Sequence, residues 1–208
     1  MAESRRSQEE RREATRRALL RAGRELFAER GYYEASQEEI ASRAGLTRGA
    51  LYHHFEGGKR GLFREVVVQM QEEIEAEILA VARERYERTG DAFEAYLASF
   101  EAYLEACLRE DVKVVLMKDG ASVLGWKEWY EIDAGYGLAQ TEAGLGRLME
   151  LGVMEQQPVR PLARLMYGAS LEAAMYVVDA EEPESAKREV VRLTRKLLEG
   201  LLVREEQR

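Results

Sequence analysis

Residues 36–59 read SQEEIASRAGLTRGALYHHFEGGK, a pattern that predicts two short helices joined by a three-residue turn. Ser36 can cap the first helix, because its hydroxyl accepts from amides two or three residues on, and Glu39 completes a capping box. Gly45 stands where a left-handed backbone is needed, before a second helix over 48–55. Such a pair is a helix-turn-helix, whose second helix can enter the ~12 Å major groove of DNA.

The outward face of the second helix is expected to carry side chains suited to DNA. Arg48 suits guanine or phosphate, and Tyr52 and His53 can donate to phosphates. Gly49 and Ala50 allow the backbone to approach the bases closely. A helical hairpin with a solvated basic face is the alternative interpretation of the same spacing.

Helical periodicity continues on both sides of this stretch, and strand alternation is nearly absent. Gly31 should stop a first helix, and a long amphipathic helix should begin after Lys59. Asp119 and Gly120 predict a turn. Further helices are expected over 92–108, 112–117, 126–151, 158–179 and from 183 onward. The 126–151 helix carries four glycines, which predict close packing, a kink or a break. The chain is therefore predicted to be all-α, with about nine helices.

Composition excludes several classes of protein. The 208 residues include 34% charged residues, three prolines and one cysteine, which argues against disordered and disulfide-rich chains. A cytoplasmic location is expected, because neither a membrane-spanning run nor a signal peptide is found in the sequence. The net charge is −8, but residues 1–64 hold 14 Lys and Arg against 10 Asp and Glu. A basic N-terminal region on an otherwise acidic chain is expected when only that region binds the phosphates of a nucleic acid. A solvated charged surface is the alternative.

A set of residues in order gives the chain a resemblance to the TetR/AcrR-type transcriptional regulators. The set comprises Phe27, Gly31-Tyr32, Ile40-Ala41, Ala44-Gly45-Leu46, Leu51-Tyr52, His54-Phe55, Lys59 and Leu62-Phe63. One departure is visible. Members of the family usually place the lysine three residues after the phenylalanine, whereas here Gly57 and Gly58 place Lys59 four residues after Phe55.

The resemblance implies a helix-turn-helix DNA-binding domain over residues 1–60 and a helical effector-binding and dimerisation domain over 61–208. It places Gln37 and Glu38 near the DNA backbone and groove edge, and Lys59 on a phosphate. The residues expected to face the operator are Arg48, Gly49, Ala50, Tyr52 and His53. His54 is expected more often to pack than to contact DNA.

The C-terminal region is expected to bind an effector and to form a homodimer. Aromatic side chains, with a methionine and a cysteine, could line an apolar cavity: Phe100, Tyr103, Cys107, Met117, Trp126, Trp129, Tyr130 and Tyr136. Core packing explains any one of them nearly as well. Four basic residues could meet an anionic acyl or aromatic head group: Arg109, Lys113, Lys118 and Lys127. They favour such an effector over a cationic one, which is the alternative because acidic residues are plentiful too. Apolar stripes on the last two helices predict dimerisation, which would present two DNA-binding domains to a palindromic operator; an intramolecular core is the alternative.

Catalysis finds little support in the sequence. His53 and His54 are adjacent, so they project about 100° apart on a helix and make a poor metal pair. Cys107 has no histidine near it in sequence. We therefore expect no enzyme, cofactor or metal site, but a ligand-responsive regulator, a repressor released from its operator by a small, largely apolar effector. The alternative function is a helical protein-interaction adaptor without specific DNA binding.

Overall fold

The computed structural model describes residues 2–203, with side chains from residue 8 onward, and confirms an all-α fold. Nine helices cover most of the described chain: α1 Ala2–Glu34, α2 Gln37–Arg43, α3 Arg48–His54, α4 Lys59–Thr89, α5 Ala92–Leu108, α6 over 110–124, α7 Trp126–Glu150, α8 Val159–Asp179 and α9 Pro183–Glu199. In the described residues, β-pairing is limited to an isolated bridge between Met154 and Leu202. None of the described helices is long and apolar enough to cross a bilayer.

The helices form two compact units. Among the described residues, one comprises the chain up to Met70 together with Glu110–Trp129, and the other comprises Gln71–Arg109 and residues 130–203. The sequence predicts a DNA-binding domain over residues 1–60 and an effector-binding domain over 61–208. This division concerns function rather than packing, so it stays a prediction.

The first unit has an aromatic centre. Phe27 and Phe63 meet edge to face with their ring centroids 5.2 Å apart, and Tyr32 lies 5.1 Å from Phe63. Gly31 departs from helical geometry near the end of α1 with φ 78°, as expected, although one more turn follows. Its neighbour Tyr32 donates its amide to the buried carboxylate of Asp119 at 2.6 Å.

The predicted turn at Asp119 and Gly120 is wrong. Helix α6 runs through both residues as Glu110–Val112, a π-helical stretch Lys113–Asp119, and Gly120–Leu124. Gly120 packs beneath Trp129, so that a Cβ there would lie 2.6 Å from the indole ring. The glycine is used for close packing rather than for a turn, and the helix ends instead at Gly125, with φ 83°.

The second unit packs α5, α7, α8 and α9 around one apolar core. Its buried residues are Phe93, Leu97, Leu145, Leu148, Met149, Met154, Ala163 and Leu198. Two of the four glycines of α7 meet aromatic rings, since a Cβ at Gly137 would lie 3.0 Å from Tyr167 and one at Gly144 would lie 2.8 Å from Tyr96. Of the three outcomes expected from these glycines, α7 shows close packing, and the helix is continuous.

We expect Gly61→Ala to destabilise the first unit. A Cβ at Gly61 would lie 1.8 Å from the carbonyl oxygen of Glu56, so the backbone would have to move. The free energy of unfolding should fall by about 3 kcal/mol, the upper end for overpacking. Gly135→Ala is the matched control, because a Cβ there meets nothing within 4 Å; it should gain about 0.5–1 kcal/mol. Urea denaturation measures both, and equal stability of the two variants would contradict this account.

Candidate nucleic-acid interface and effector cavity

Helices α2 and α3 form the helix-turn-helix that the sequence predicts. Ser36 Oγ accepts from the Glu39 amide at 3.1 Å, and Glu39 accepts from the Ser36 amide at 3.2 Å, which completes the capping box. Gly45 takes φ 70°, and the Leu46 amide then donates to the Ala41 carbonyl at 2.8 Å. Buried Ile40, Ala41 and Leu51 hold the two helices together. This turn fixes which face of α3 points outward.

Four of the residues predicted to contact DNA touch one another at the surface. Arg48 pairs with Glu38 at 2.6 Å, and the phenol of Tyr52 hydrogen-bonds with both Arg48 and Gln37. The hydrogen bond from Arg48 is the main cause that lowers the pKa of Tyr52. All four side chains lie at the start of α2 or along α3, and Tyr52 is 52% exposed. They form a polar, solvent-accessible surface, which we call the recognition face.

The remaining predicted residues of α3 lie at or beside this face. Gly49 and His53 are exposed and Ala50 is half-buried. A Cβ at Gly49 would meet nothing closer than 3.9 Å, so a bound molecule has room to approach the helix backbone at this residue. His54 is half-buried, and burial is the main cause that lowers its pKa, so its imidazole is neutral near pH 7. A neutral, partly buried ring fits a packing role for His54.

The connection between α3 and α4 explains why two glycines precede Lys59. The Tyr52 ring lies over Gly58, where a Cβ would come within 2.8 Å of it. Lys59 Nζ donates to the carbonyls of Tyr32 and Ala35, both at 2.9 Å, and lies 4.2 Å from the centroid of the Tyr32 ring. Burial lowers the pKa of this ammonium. Lys59 therefore binds the end of α1, and its predicted phosphate contact stays a prediction.

A cavity of about 590 Å³ lies within the second unit, between α4, α5, α7 and α8. Most of its wall is apolar or aromatic, and it includes Ile74, Ile78, Tyr96, Phe100 and Leu148. Its size is in the range of small-molecule sites. The cavity is thus large enough for a drug-sized apolar ligand.

One polar residue of the cavity wall is a buried acid, Asp133. Asp133 accepts from the Tyr167 hydroxyl, and from Gln71 Nε2 at 2.7 Å. Desolvation by burial is the main cause that raises the pKa of the Asp133 carboxyl above its ordinary value of 3.8. No sequence pattern indicated Asp133, Gln71 or Tyr167, although the glycine at 137 packs against Tyr167.

We expect Asp133→Asn to leave stability at neutral pH unchanged or higher. A raised folded-state pKa means that the folded protein holds the proton more tightly, so this group favours folding at low pH and loses that contribution as the pH rises above about 4. An asparagine can accept from Tyr167 while Gln71 turns its amide over, and it removes this loss. Asp133→Leu should instead cost about 1–3 kcal/mol, because two buried donors lose their acceptor. Urea denaturation at several pH values checks both variants; an Asn variant that is as unstable as the Leu variant would contradict the assignment.

Of the eight residues predicted to line an effector cavity, three lie in the wall of the cavity described above: Phe100, Tyr103 and Tyr136. Cys107 hydrogen-bonds with Tyr103, and Tyr130 meets the Tyr167 ring edge to face with the centroids 5.9 Å apart. The other three, Met117, Trp126 and Trp129, belong to the first unit and are not part of this wall. The spacing of aromatics along the chain could not separate the two units, because α7 contributes to both. Ligand binding by any of these residues stays a prediction.

The four basic residues expected to meet an anionic head group do not line this cavity. Arg109 pairs with Glu77 at 2.8 Å and Lys113 with Glu110 at 2.9 Å. Lys118 and Lys127 belong to the first unit. The reason is helical geometry, since residues close in sequence point to different sides of α5, α6 and α7.

Cys107 has the properties of a core residue. It is buried, and desolvation is the main cause that raises the pKa of its thiol to about 12. The thiolate, which is the nucleophilic form, is therefore a negligible fraction at neutral pH.

A helix-turn-helix with an exposed polar face, together with a helical unit that encloses an apolar cavity, defines a DNA-binding regulator of the ligand-responsive class. The family model described as bacterial regulatory proteins, tetR family, matches residues 19–66, and the model described as tetracyclin repressor-like, C-terminal domain, matches residues 93–201. The chain belongs to the TetR family of transcriptional regulators. This confirms the resemblance drawn from the sequence, and no observation favours the adaptor alternative.

Two individual relatives align along most of the chain, and a third aligns along about half of it. A crystal structure of a TetR-family transcriptional regulator from Pectobacterium atrosepticum is 31% identical, has a TM-score of 0.78, and aligns over 93% of this chain and 97% of that one. The TetC protein of transposon Tn10 from Escherichia coli is 25% identical over 199 residues, which cover 96% of this chain and 98% of that protein. The regulator UidR of Escherichia coli strain K12 is 33% identical over 108 residues, about half of each chain.

Proposed function

We propose that this chain is a cytoplasmic, homodimeric repressor that leaves a palindromic operator when a small, largely apolar effector enters the cavity. The observation that carries the proposal is the recognition face, where exposed Glu38, Arg48 and Tyr52 contact one another and half-buried Gln37. Arg48 can reach base edges or phosphates, and Tyr52 can donate to a phosphate. Gly49, Ala50 and His53 complete the surface that would meet the groove.

Dimerisation is proposed through α8 and α9. Leu165 and Leu197 are each 72% exposed, and Met175, Tyr176 and Leu193 are also exposed on these two helices. One face of α8 carries Leu165, Ala169 and Tyr176 at helical spacing, together with the charged Glu172, and lies opposite buried Ala163 and Ala174. A second copy of the chain would cover this apolar surface and would place two recognition helices for a palindrome.

Selection from randomised duplex DNA tests the operator part of the proposal. The full-length protein is incubated with the pool at two salt concentrations, and bound duplexes are sequenced. We expect a palindrome to be enriched, and the affinity for it to fall steeply as salt rises, because phosphate contacts release counterions. Binding without an enriched sequence, or no binding at either salt, would contradict the proposal.

Lys59 is assigned a supporting role in this proposal rather than a phosphate contact. We expect Lys59→Met to lower the free energy of unfolding by about 1–3 kcal/mol, because two carbonyls at the end of α1 lose their donor. The slope of log Kd against log salt for the selected operator should stay the same. If Lys59 neutralised a phosphate, the substitution would remove two such contacts from each dimer–operator complex and make that slope shallower by about 1.8. Operator titrations at four salt concentrations distinguish the two roles.

A further inference from the structure

Three hydroxyl groups in the cavity wall already donate their protons to backbone carbonyls of their own helices. Ser99 Oγ donates to the Tyr96 carbonyl at 2.6 Å, Thr141 Oγ1 donates to the Gly137 carbonyl at 2.8 Å, and Ser170 Oγ donates to the Met166 carbonyl at 2.9 Å. A hydroxyl has one proton, so each of these side chains has only lone pairs left for a bound molecule.

The phenols and the buried acid of the wall also leave mainly hydrogen-bond acceptors for a ligand. Tyr167 donates to Asp133, and Tyr136 is directed toward Glu72 at 3.4 Å. Tyr103 hydrogen-bonds with Cys107. Gln140 offers a donor, since its Nε2 is buried without a hydrogen-bond partner, and the hydroxyls of Tyr86 and Tyr96, for which no partner is found among the described residues, can donate or accept. Acceptors therefore outnumber donors on this wall, which favours a ligand that brings hydrogen-bond donors.

Charge in the wall is predominantly negative. Glu75 lines the cavity from α4 and is half-buried, and no ion pair of its carboxylate is found among the described residues. Asp133 adds a second carboxyl group on α7. Arg147, the one basic side chain among the lining residues, is 61% exposed and reaches Glu150 at 3.4 Å. An anionic ligand would face two acids, with a cation only at the solvent edge.

Aromatic side chains supply the remaining recognition. Tyr96, Phe100, Tyr103 and Tyr136 all lie in the wall, and aromatic faces attract cations as well as apolar groups. We propose that the effector is an aromatic or otherwise apolar molecule that carries a protonated amine, with Glu75 as its counter-charge. This inference rests on the proposed function, in which the cavity is the effector site, and it names the chemical class of that effector.

Three molecules with one carbon skeleton and different head groups test the charge preference: diphenylpropylamine, diphenylpropanol and diphenylpropanoate. Calorimetric titration of the full-length protein at pH 7 and low salt measures binding without DNA. We expect the amine to bind at least tenfold more tightly than the alcohol and the carboxylate to bind most weakly. The head group is the only difference, so the ratio of dissociation constants isolates charge.

Matched variants locate the counter-charge. Glu75→Gln should remove most of the amine's advantage and leave the affinity for the alcohol unchanged. Glu84→Gln makes the same charge change on an exposed part of α4 that does not line the cavity, and it should leave all three affinities unchanged. Circular dichroism confirms that each variant is folded.

The inference is overturned if the carboxylate binds as tightly as the amine, if Glu75→Gln leaves the ratio of amine to alcohol unchanged, or if none of the three molecules binds at millimolar concentration. Failure of the proposed function has a different signature. Titration of the selected operator with the amine would then show no release of DNA, although calorimetry still showed the charge preference.

Discussion

The double variant Leu193→Glu/Leu197→Glu should be a folded monomer. Both side chains are exposed on α9, so their replacement leaves the core of the single chain intact. In a two-fold dimer four leucines would be removed from the interface, and burial of each contributes at least about 1.5 kcal/mol. A loss of about 6 kcal/mol corresponds to a weakening of the dimer by roughly ten-thousand-fold. This is the largest single effect that we expect, because the two-fold axis doubles the number of leucines removed from the interface.

Sedimentation velocity at micromolar concentration and circular dichroism measure this outcome, and operator affinity should fall at least ~100-fold in parallel because one head then binds one half-site. Val81→Glu is the control: it places a carboxylate on another exposed apolar residue, which is on α4 and outside the cavity wall. It should remain dimeric. A double variant that still sediments as a dimer would rule out α9 as the interface.

Local sequence signals predicted the helix-turn-helix to within a residue or two. Ser36, Glu39 and Gly45 each act through the backbone of their own turn, so their effect can be derived without knowing the rest of the fold. The same holds for Gly31, which leaves helical geometry where expected. Gly120 shows the limit of this reasoning. A glycine beside an aspartate predicts a turn, but here Trp129 requires the absence of a side chain inside a helix.

The cavity could be predicted only in part, because its wall comes from four helices that are far apart in sequence. Phe100, Tyr103 and Tyr136 were found from the density of aromatic residues, whereas Trp126 and Trp129 have the same signal and pack in the other unit. Asp133 could not be found at all, since a single acid in an amphipathic helix is normally exposed. Gly137 and Gly144 were the sequence signal that could have located this face of the wall. They are seven residues apart, so they share one face of α7, and both contact tyrosines of the wall.

Alanine substitutions on the recognition face should weaken operator binding without unfolding the protein. Arg48→Ala and Tyr52→Ala should each raise the Kd by about 10–100-fold, the range for removal of a good base or phosphate contact. Both side chains are exposed, so the midpoint of thermal unfolding should change little. Arg83→Ala removes the same charge from an exposed position on α4 and should leave the Kd unchanged.

The contact between Arg48 and Tyr52 makes the double variant the sharper measurement. Because the phenol hydrogen-bonds with the guanidinium, each residue holds the other in place, and the double variant should lose less than the sum of the single losses. Tyr52→Phe keeps the ring over Gly58 and removes only the hydroxyl, so it should fall between wild type and Tyr52→Ala. Fluorescence anisotropy with the selected operator gives the Kd of the wild type, of the two single alanine variants and of the double variant, which together form a double-mutant cycle. Strict additivity would mean that the two side chains act independently on DNA, and an unchanged Kd in the double variant would remove α3 as the recognition helix.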